Sequence, residues 1–293
     1  MSDQSSDAVP AQWSAPTAPG GDPIEKASGE NFPVALRLLP PRIREDLRAL
    51  YRYARHVDDL GDEWAGDRLS ALDRIEADVR GLYEERREPT DPVVAALAST
   101  IARRRLPADP LLRLIEANRW DQQVTRYETF DDLLAYCRLS ANPVGELVLH
   151  IFGRATPERI ALSDRVCTAL QLLEHWQDVA EDYRRGRVYL PQEDLRRFGV
   201  AEEDLARPTA TSQLRALIAF ETRRAEAWLD AGAALVAGLS GRARLAVSGY
   251  IAGGRAAAAA LRRSDYDPLS RVPKPTSRQI ASAWIRSVIR GWG

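Results

Sequence analysis

The sequence predicts an all-α protein folded as a single large helical bundle, and three observations support this prediction. Apolar residues recur at spacings of three and four along most of the chain after Phe32. The intervals between these runs carry Pro, Gly or Asp, which are helix start and stop signals. Sustained alternation of apolar and polar residues, which would predict strands, is absent from the sequence, as is any repeat of fixed period.

Each predicted helix follows from one such run. The first is RIREDLRALYRYARHVDDLGDE at 42–63, where Ile43, Leu47, Leu50 and Val57 share one face. Proline is tolerated in the first helical turn but not in the interior, so the Pro-containing breaks separate the later helices. These helices are predicted at 68–86, 92–104, 110–126, 130–152, 157–183, 212–239 and 242–263.

Two short segments depart from this helical pattern. GRVYLP at 186–191 is predicted to be an ordered loop. Asn142, Pro143 and Gly145 interrupt the run at 130–152, where proline removes a backbone donor and clashes one turn back. The interruption predicts either a kinked helix or a loop between two helices.

The composition of the chain argues against several classes of protein. The chain carries 41 basic and 42 acidic side chains, so no global attraction to nucleic acid is expected. Its two cysteines, Cys137 and Cys167, argue against a disulfide framework and fit a reducing compartment. With neither a membrane-spanning stretch nor a secretory pattern, we expect a cytoplasmic protein. Residues 1–27 are predicted to be a disordered tail, 28–276 the helical domain and 277–293 a carboxyl-terminal amphipathic helix.

Two acidic clusters carry the predicted chemistry. On the first helix, Asp58 and Asp62 stand one turn apart, with Asp59 beside them and Tyr51 and Arg55 in the same stripe. The second cluster lies in LQLLEHWQDVAEDYRRGRVYLP, where Glu174, Asp178 and Asp182 repeat at a spacing of four. A solvated acidic face would explain one such helix, but this spacing occurs twice, each time within an apolar helix.

Facing carboxylate pairs suit Mg²⁺, a hard cation that takes oxygen ligands and leaves positions for substrate phosphates. Arg55, Arg187 and Tyr189 could hold the remaining phosphate oxygens. Such a site would pull diphosphate off a carbon, and the resulting carbocation would need an apolar cavity and aromatic faces. Side chains that could serve as such faces, or belong to ordinary core, are Phe32, Tyr51, Tyr136 and Trp176.

In combination, these motifs resemble the squalene/phytoene synthase family over about residues 28–271. YRYARHVDDLGDE is similar to the first aspartate-rich motif of that family, WQDVAEDYRRGRVYLP to the second, and YCRLSANPVG to its Tyr-Cys segment. The resemblance implies an isoprenoid synthase bundle with a central apolar cavity. It also implies that Asp58, Asp59, Asp62, Asp178 and Asp182 hold about two or three Mg²⁺ ions with diphosphate, that Tyr51, Arg55, Arg187, Tyr189 and Arg271 contact phosphate, and that Tyr136 lies by the reacting carbons.

Within the family, ENFPVALRLLP, SANPVG and LQLLEHWQDVA are most similar to the hydroxysqualene synthase branch of bacterial hopanoid biosynthesis. This implies a lyase that ionises presqualene diphosphate, rearranges the cation and captures it with water. The polar group for that water could be Asn142, Gln177 or Glu174, although Asn142 also fits a helix cap before Pro143. Glu174 replaces the Asn usual in the family, and it could add a metal ligand or overcharge the site.

Other functions remain open from the sequence. The chain could condense two farnesyl diphosphates to presqualene diphosphate or squalene, or it could be a non-catalytic isoprenoid-binding or assembly protein. No GxGxxG follows a strand, so we expect no NADPH, although a helical surface could bind it without that fingerprint. The basic, Trp-bearing helix at 277–293 could lie on the inner face of the membrane or dock on the bundle. A presqualene diphosphate synthase could hand over the substrate.

Overall fold

The computed structural model describes residues 39–276 and 279–284, and within these residues the regular secondary structure is helical, without a named strand. The predicted all-α class is therefore confirmed. We number the α-helices in chain order: α1 Pro41–Asp62, α2 Arg68–Arg80, α3 Pro92–Arg104, α4 Ala108–Trp120, α5 Phe130–Ser140, α6 Asn142–Ile151, α7 Pro157–Gln177, α8 Val179–Arg184, α9 Gln192–Phe198, α10 Ser212–Gly232, α11 Ala234–Ala237 and α12 Gly241–Arg263. A π-helical turn at Gly81–Glu85 extends α2, and a 3₁₀-helix spans Glu202–Ala206.

Four of the predicted helices are shorter than their sequence pattern suggests, and one of these, the run at 212–239, divides at Ala233 into α10 and α11. The run at 130–152 divides at Ala141, so that α5 and α6 abut without a loop, as expected where Pro143 cannot continue the hydrogen-bond ladder. The run at 157–183 divides at Asp178, whose backbone leaves the helical region. The run at 110–126 ends at Trp120. The break at Asp178 falls on an acidic residue of the site described below. The helix that ends at Trp120 is followed directly by another acidic residue of that site, Asp121.

Helix α7 is central to the bundle and packs against α10, α6, α12 and α5. Its buried side chains include Leu172, Leu173 and the fully buried Trp176. A second apolar cluster joins α1 to α2, α3 and α4, with Tyr53 and Val57 of α1 fully buried in it. This packing fixes the direction in which the polar faces of α1 and α7 point.

The loop at 186–191 is ordered, as predicted. Its backbone runs beside the segment after α4: the Val188 amide donates to the Thr125 carbonyl at 2.9 Å, and the Gln192 amide donates to the Tyr127 carbonyl at 2.9 Å. Val188, Tyr189 and Leu190 are buried. The loop is therefore held against the bundle along its length.

The described part of the carboxyl-terminal helix, residues 279–284, docks on α12. Ile280 and Ala283 pack against Ala252 and Ala256. The Trp284 indole donates to the Leu245 carbonyl at 3.3 Å and to Ser248 Oγ at 3.1 Å. The rest of 277–293 and the tail predicted at 1–27 lie outside the described residues. Among the described helices, none has the length and apolar character needed to cross a membrane.

Candidate active site

The first acidic cluster lies on the last two turns of α1. Leu50, Tyr53 and Val57 bury the opposite face of the helix, which turns the acidic stripe outward from the core. Arg55 pairs with Asp59 at 2.9 Å and with Asp58 at 3.4 Å. The Asp58 carboxylate is half-exposed but sits in a crowded recess; burial, together with the charge of Asp62, raises its pKa to about 6. The recess therefore concentrates more negative charge than Arg55 neutralises.

The second acidic cluster is centred on Asp178, at the junction of α7 and α8. Asp178 Oδ1 is buried and has no hydrogen-bond partner among the described residues. Burial raises the pKa of Asp178, with the positive charge of Lys274 opposing and the negative charge of Asp182 adding to the effect. A buried carboxylate oxygen without a partner is costly, so this oxygen is suited to accept a cation or a proton.

Arg187 connects the two clusters. Its guanidinium donates to Asp62 Oδ1 at 2.6 Å, joining the buried loop after α8 to the end of α1. Burial alone would lower the pKa of Arg187, but the hydrogen bond to Asp62 and the nearby Asp121 and Tyr189 raise it. Arg187 therefore stays cationic between the two acidic motifs.

Asp121, which the sequence analysis missed, is a third acidic element of the site. It follows the last residue of α4, and its Oδ2 accepts a hydrogen bond of 2.6 Å from the Tyr136 hydroxyl. The Tyr189 hydroxyl lies 3.4 Å from the other carboxylate oxygen. Burial raises the pKa of Asp121, while the Tyr136 hydrogen bond and the charge of Arg187 oppose this. A lone Asp without a repeat gave no signal in the sequence.

An aromatic group lies beside these carboxylates. The rings of Tyr127, Tyr136 and Tyr189 lie 5.6–5.7 Å apart, centroid to centroid. The His175 imidazole stacks on Tyr189 at 3.7 Å, and its Nδ1 lies 3.8 Å from Asp182 Oδ2. Burial raises the pKa of Tyr136 and Tyr189 well above the usual range, so both phenols remain protonated at neutral pH. His175 is a second residue that sequence reasoning missed.

A mainly apolar cavity of about 260 Å³ lies between the helices, and its lining includes Ala54 and Glu174, which stand one helical turn before Asp58 and Asp178. Helices α5, α6, α7 and α12 line it, with Val148, Val166 and Leu170 among its apolar side chains. Tyr51 of α1 and Glu174 of α7 both line it as well. The predicted central apolar cavity is therefore present, and Glu174 faces it from a solvent-exposed position.

Three further predicted site residues are placed differently. Asn142 is buried, but α6 has no side-chain cap, so the cap interpretation is wrong; its Oδ1 instead accepts a hydrogen bond of 3.0 Å from Thr168 Oγ1. The buried Gln177 amide donates to the Pro273 carbonyl at 2.5 Å. Arg271 is exposed, three residues before Lys274, the cation that acts on Asp178.

Across residues 39–276 and 279–284, no three Asp, Glu, His or Cys side chains lie close enough together to hold a metal ion. The structure thus joins Asp62 to Arg187, Asp58 to Arg55 and Asp182 to His175, but it does not gather the six predicted ligands into one coordination shell. The predicted metal set stays a prediction.

Fold and site together define an all-helical scaffold with an apolar cavity beside carboxylate motifs bridged by arginine. The sequence model of the family described as squalene/phytoene synthase matches residues 26–279 of this chain. The chain therefore belongs to the squalene/phytoene synthase family, enzymes of isoprenoid biosynthesis, as the motifs predicted.

Individual relatives agree with this assignment. A hydroxysqualene synthase from Sinorhizobium fredii is 35% identical over 211 residues, 71% of this chain and 70% of that protein. One from Rhodopseudomonas palustris is 39% identical over 180 residues, which is 60% of this chain and spans only 60% of the relative. The crystal structure of squalene synthase HpnC from Alicyclobacillus acidocaldarius has a TM-score of 0.74 and 45% identity, covering 79% of this chain and 88% of that one.

Proposed function

We propose that the protein is a hydroxysqualene synthase: it ionises presqualene diphosphate in the presence of Mg²⁺, rearranges the cation and captures it with water, giving hydroxysqualene and diphosphate for hopanoid biosynthesis. The observation that carries the proposal is the Arg187–Asp62 bridge, which brings the second aspartate motif to the first. The names of the Sinorhizobium and Rhodopseudomonas relatives support this particular reaction.

The carboxylate oxygens that the two motifs offer are the donor type that Mg²⁺ takes, which supports the proposed cofactor. The first motif contributes Asp58, Asp59 and Asp62, whose mutual repulsion a divalent cation would relieve. The second contributes Asp182 and Asp178, with its partnerless buried oxygen. About two or three bound ions would supply Lewis-acid stabilisation of the departing diphosphate. In this arrangement Glu174, which faces the cavity, is the ligand with the weakest support.

The other residues would bind and shield the substrate. Arg55 and Arg187 sit where they can hold phosphate oxygens by charge-assisted hydrogen bonds, and Lys274 adds a third cation near Asp178. The apolar walls of the cavity would enclose the hydrocarbon and exclude bulk water from the carbocation. Tyr51 at the cavity wall offers an aromatic face close to the first motif.

The second candidate is condensation of two farnesyl diphosphates to presqualene diphosphate or squalene, which the likeness to the Alicyclobacillus squalene synthase HpnC favours. Purified protein incubated with presqualene diphosphate and Mg²⁺ distinguishes the two, with and without NADPH. Hydroxysqualene formed without NADPH supports our proposal, whereas squalene formed only with NADPH overturns it. A non-catalytic member of the fold would form neither, and the retained carboxylates of both motifs argue against that reading.

Two associations complete the proposal. The product and substrate are long isoprenoids, so a hand-over from a presqualene diphosphate synthase would avoid releasing them into water. Peripheral contact with the inner face of the membrane through 277–293 would also keep these isoprenoids out of water, with the protein otherwise in the cytoplasm. Co-sedimentation with liposomes tests the second association directly.

A further inference from the structure

The aspartate motifs do not identify the side chain that directs the attacking water. Two sequence candidates are engaged elsewhere: Asn142 bonds with Thr168, and Gln177 bonds with the Pro273 carbonyl. Neither lines the cavity, whereas Glu174, the third candidate, lies at its solvent-exposed side. The water must meet the cation inside the cavity, so a polar group on the inner wall is required.

Gln171 occupies that position. It lines the cavity from α7, directly after Leu170 and two turns, about 10 Å along the helix axis, before Asp178. The cavity-lining residues that shortly precede it on this helix, Val166, Cys167 and Leu170, are apolar or weakly polar. Gln171 is therefore the place on α7 where the hydrocarbon wall changes to the polar end of the site.

The Gln171 amide is also held in place. Its Nε2 lies 3.1 Å from His175 Nε2. An amide nitrogen only donates, so the imidazole Nε2 is the acceptor in this contact, and the other ring nitrogen, Nδ1, faces Asp182. The buried imidazole is itself fixed by stacking on Tyr189. This arrangement leaves the Gln171 carbonyl oxygen as the acceptor available to a water molecule.

We propose that Gln171 holds the water that captures the carbocation, and that His175 positions Gln171; this inference rests on the proposed function. The Gln171 carbonyl oxygen accepts one hydrogen of the water, which turns an oxygen lone pair toward the cation. A carbon–oxygen bond forms from that lone pair, and the surplus proton passes to an oxygen of the diphosphate already released in the site. The products are the alcohol and protonated diphosphate, so atoms and charge balance.

The experiment measures hydroxysqualene formed per diphosphate released, in one incubation with presqualene diphosphate and Mg²⁺. Wild-type protein is expected to give a ratio near one. Gln171→Leu keeps the approximate volume but removes the acceptor, and its ratio should fall about ten-fold, with hydrocarbons formed by proton loss making up the difference. His175→Leu should lower the ratio in the same direction by a smaller factor.

Gln213→Leu is the matched control, because it makes the same chemical change at an exposed position of α10 that does not line the cavity. Its ratio should stay near one. A ratio near one in Gln171→Leu overturns the inference, and an equal fall in Gln213→Leu overturns it too, since the loss of a glutamine away from the cavity would then suffice. An unchanged ratio in His175→Leu removes the positioning role. Wild-type protein that releases diphosphate without making the alcohol overturns the proposed function itself.

Discussion

Arg187 donates a hydrogen bond of 2.6 Å to Asp62, although the two residues stand 125 positions apart in the chain. The loop that carries Arg187 is fixed by backbone hydrogen bonds to the segment after α4. The contact therefore sets the relative placement of the two acidic motifs, and it is a direct target for testing the site.

Arg187→Gln should raise the KM for the diphosphate substrate, and this should be its main effect rather than a loss of thermal stability. A charge-assisted hydrogen bond contributes about 1.5–3 kcal/mol, which corresponds to about ten- to hundred-fold in KM. Steady-state kinetics measures this effect. Arg185→Gln is the control, since Arg185 is exposed and pairs with Glu181 at the surface. Equal effects of the two substitutions would contradict the assignment of Arg187.

Asp58→Asn and Asp178→Asn should each abolish turnover while leaving the fold intact. Both carboxylates are disfavoured as anions by their surroundings, so neutralising either should not lower the melting temperature measured without Mg²⁺. Wild-type protein should gain melting temperature with Mg²⁺ and inorganic diphosphate, and the variants should lose this gain. The surface variant Asp230→Asn, whose Asp pairs with Arg255, should behave as wild type. Near-normal activity in both site variants would refute the metal assignment.

Tyr136→Phe should destabilise the protein by about 1.5–3 kcal/mol, because it removes a hydrogen bond to the partly buried Asp121 carboxylate. Tyr83→Phe makes the same chemical change but removes only a bond to the Leu106 carbonyl, so about 0.5–1.5 kcal/mol is expected. Urea unfolding of both variants gives the comparison. A smaller effect at Tyr136 than at Tyr83 would mean that the hydroxyl does not stabilise the Asp121 anion.

Glu221 makes stability depend on pH. It is fully buried in α10, and burial raises its pKa to about 8, with the charge of Arg224 opposing. The folded state therefore holds this proton more tightly than the unfolded state, and the Glu221 contribution to stability declines as pH rises from about 4.5 to 8. Glu221→Gln should flatten this decline in urea unfolding at several pH values. Glu226→Gln, at the surface of the same helix, should keep it.

Deletion of 285–293 should reduce binding to liposomes without unfolding the bundle. The deletion spares Ile280, Ala283 and Trp284, which dock on α12. Removing 277–293 as a whole would also remove that contact, so a loss of membrane binding could not be distinguished from a loss of stability. Co-sedimentation with anionic and neutral vesicles measures the binding, and circular dichroism checks the fold. Undiminished binding after the shorter deletion would exclude this segment as the membrane contact.

Periodic features were predictable from the sequence, and isolated ones were not. The helical class and the stripe of Asp58 and Asp62 follow from residue spacing, because side chains four positions apart lie on the same face of a helix. Asp121 and His175 reach the site only through tertiary packing, since neither belongs to a repeated spacing along the chain. The break at Asp178 carries neither Pro nor Gly, so a continuous helix was predicted where the structure has two.

The bond from the Gln177 amide to the Pro273 carbonyl fastens the end of the bundle to the residue next to Asp178. Tension applied to the segment after Pro273, by a fused domain or by adsorption to a lipid surface, would therefore act on the junction of α7 and α8 that carries Asp178. A force on the carboxyl-terminal segment would therefore reach the second acidic cluster through a single hydrogen bond.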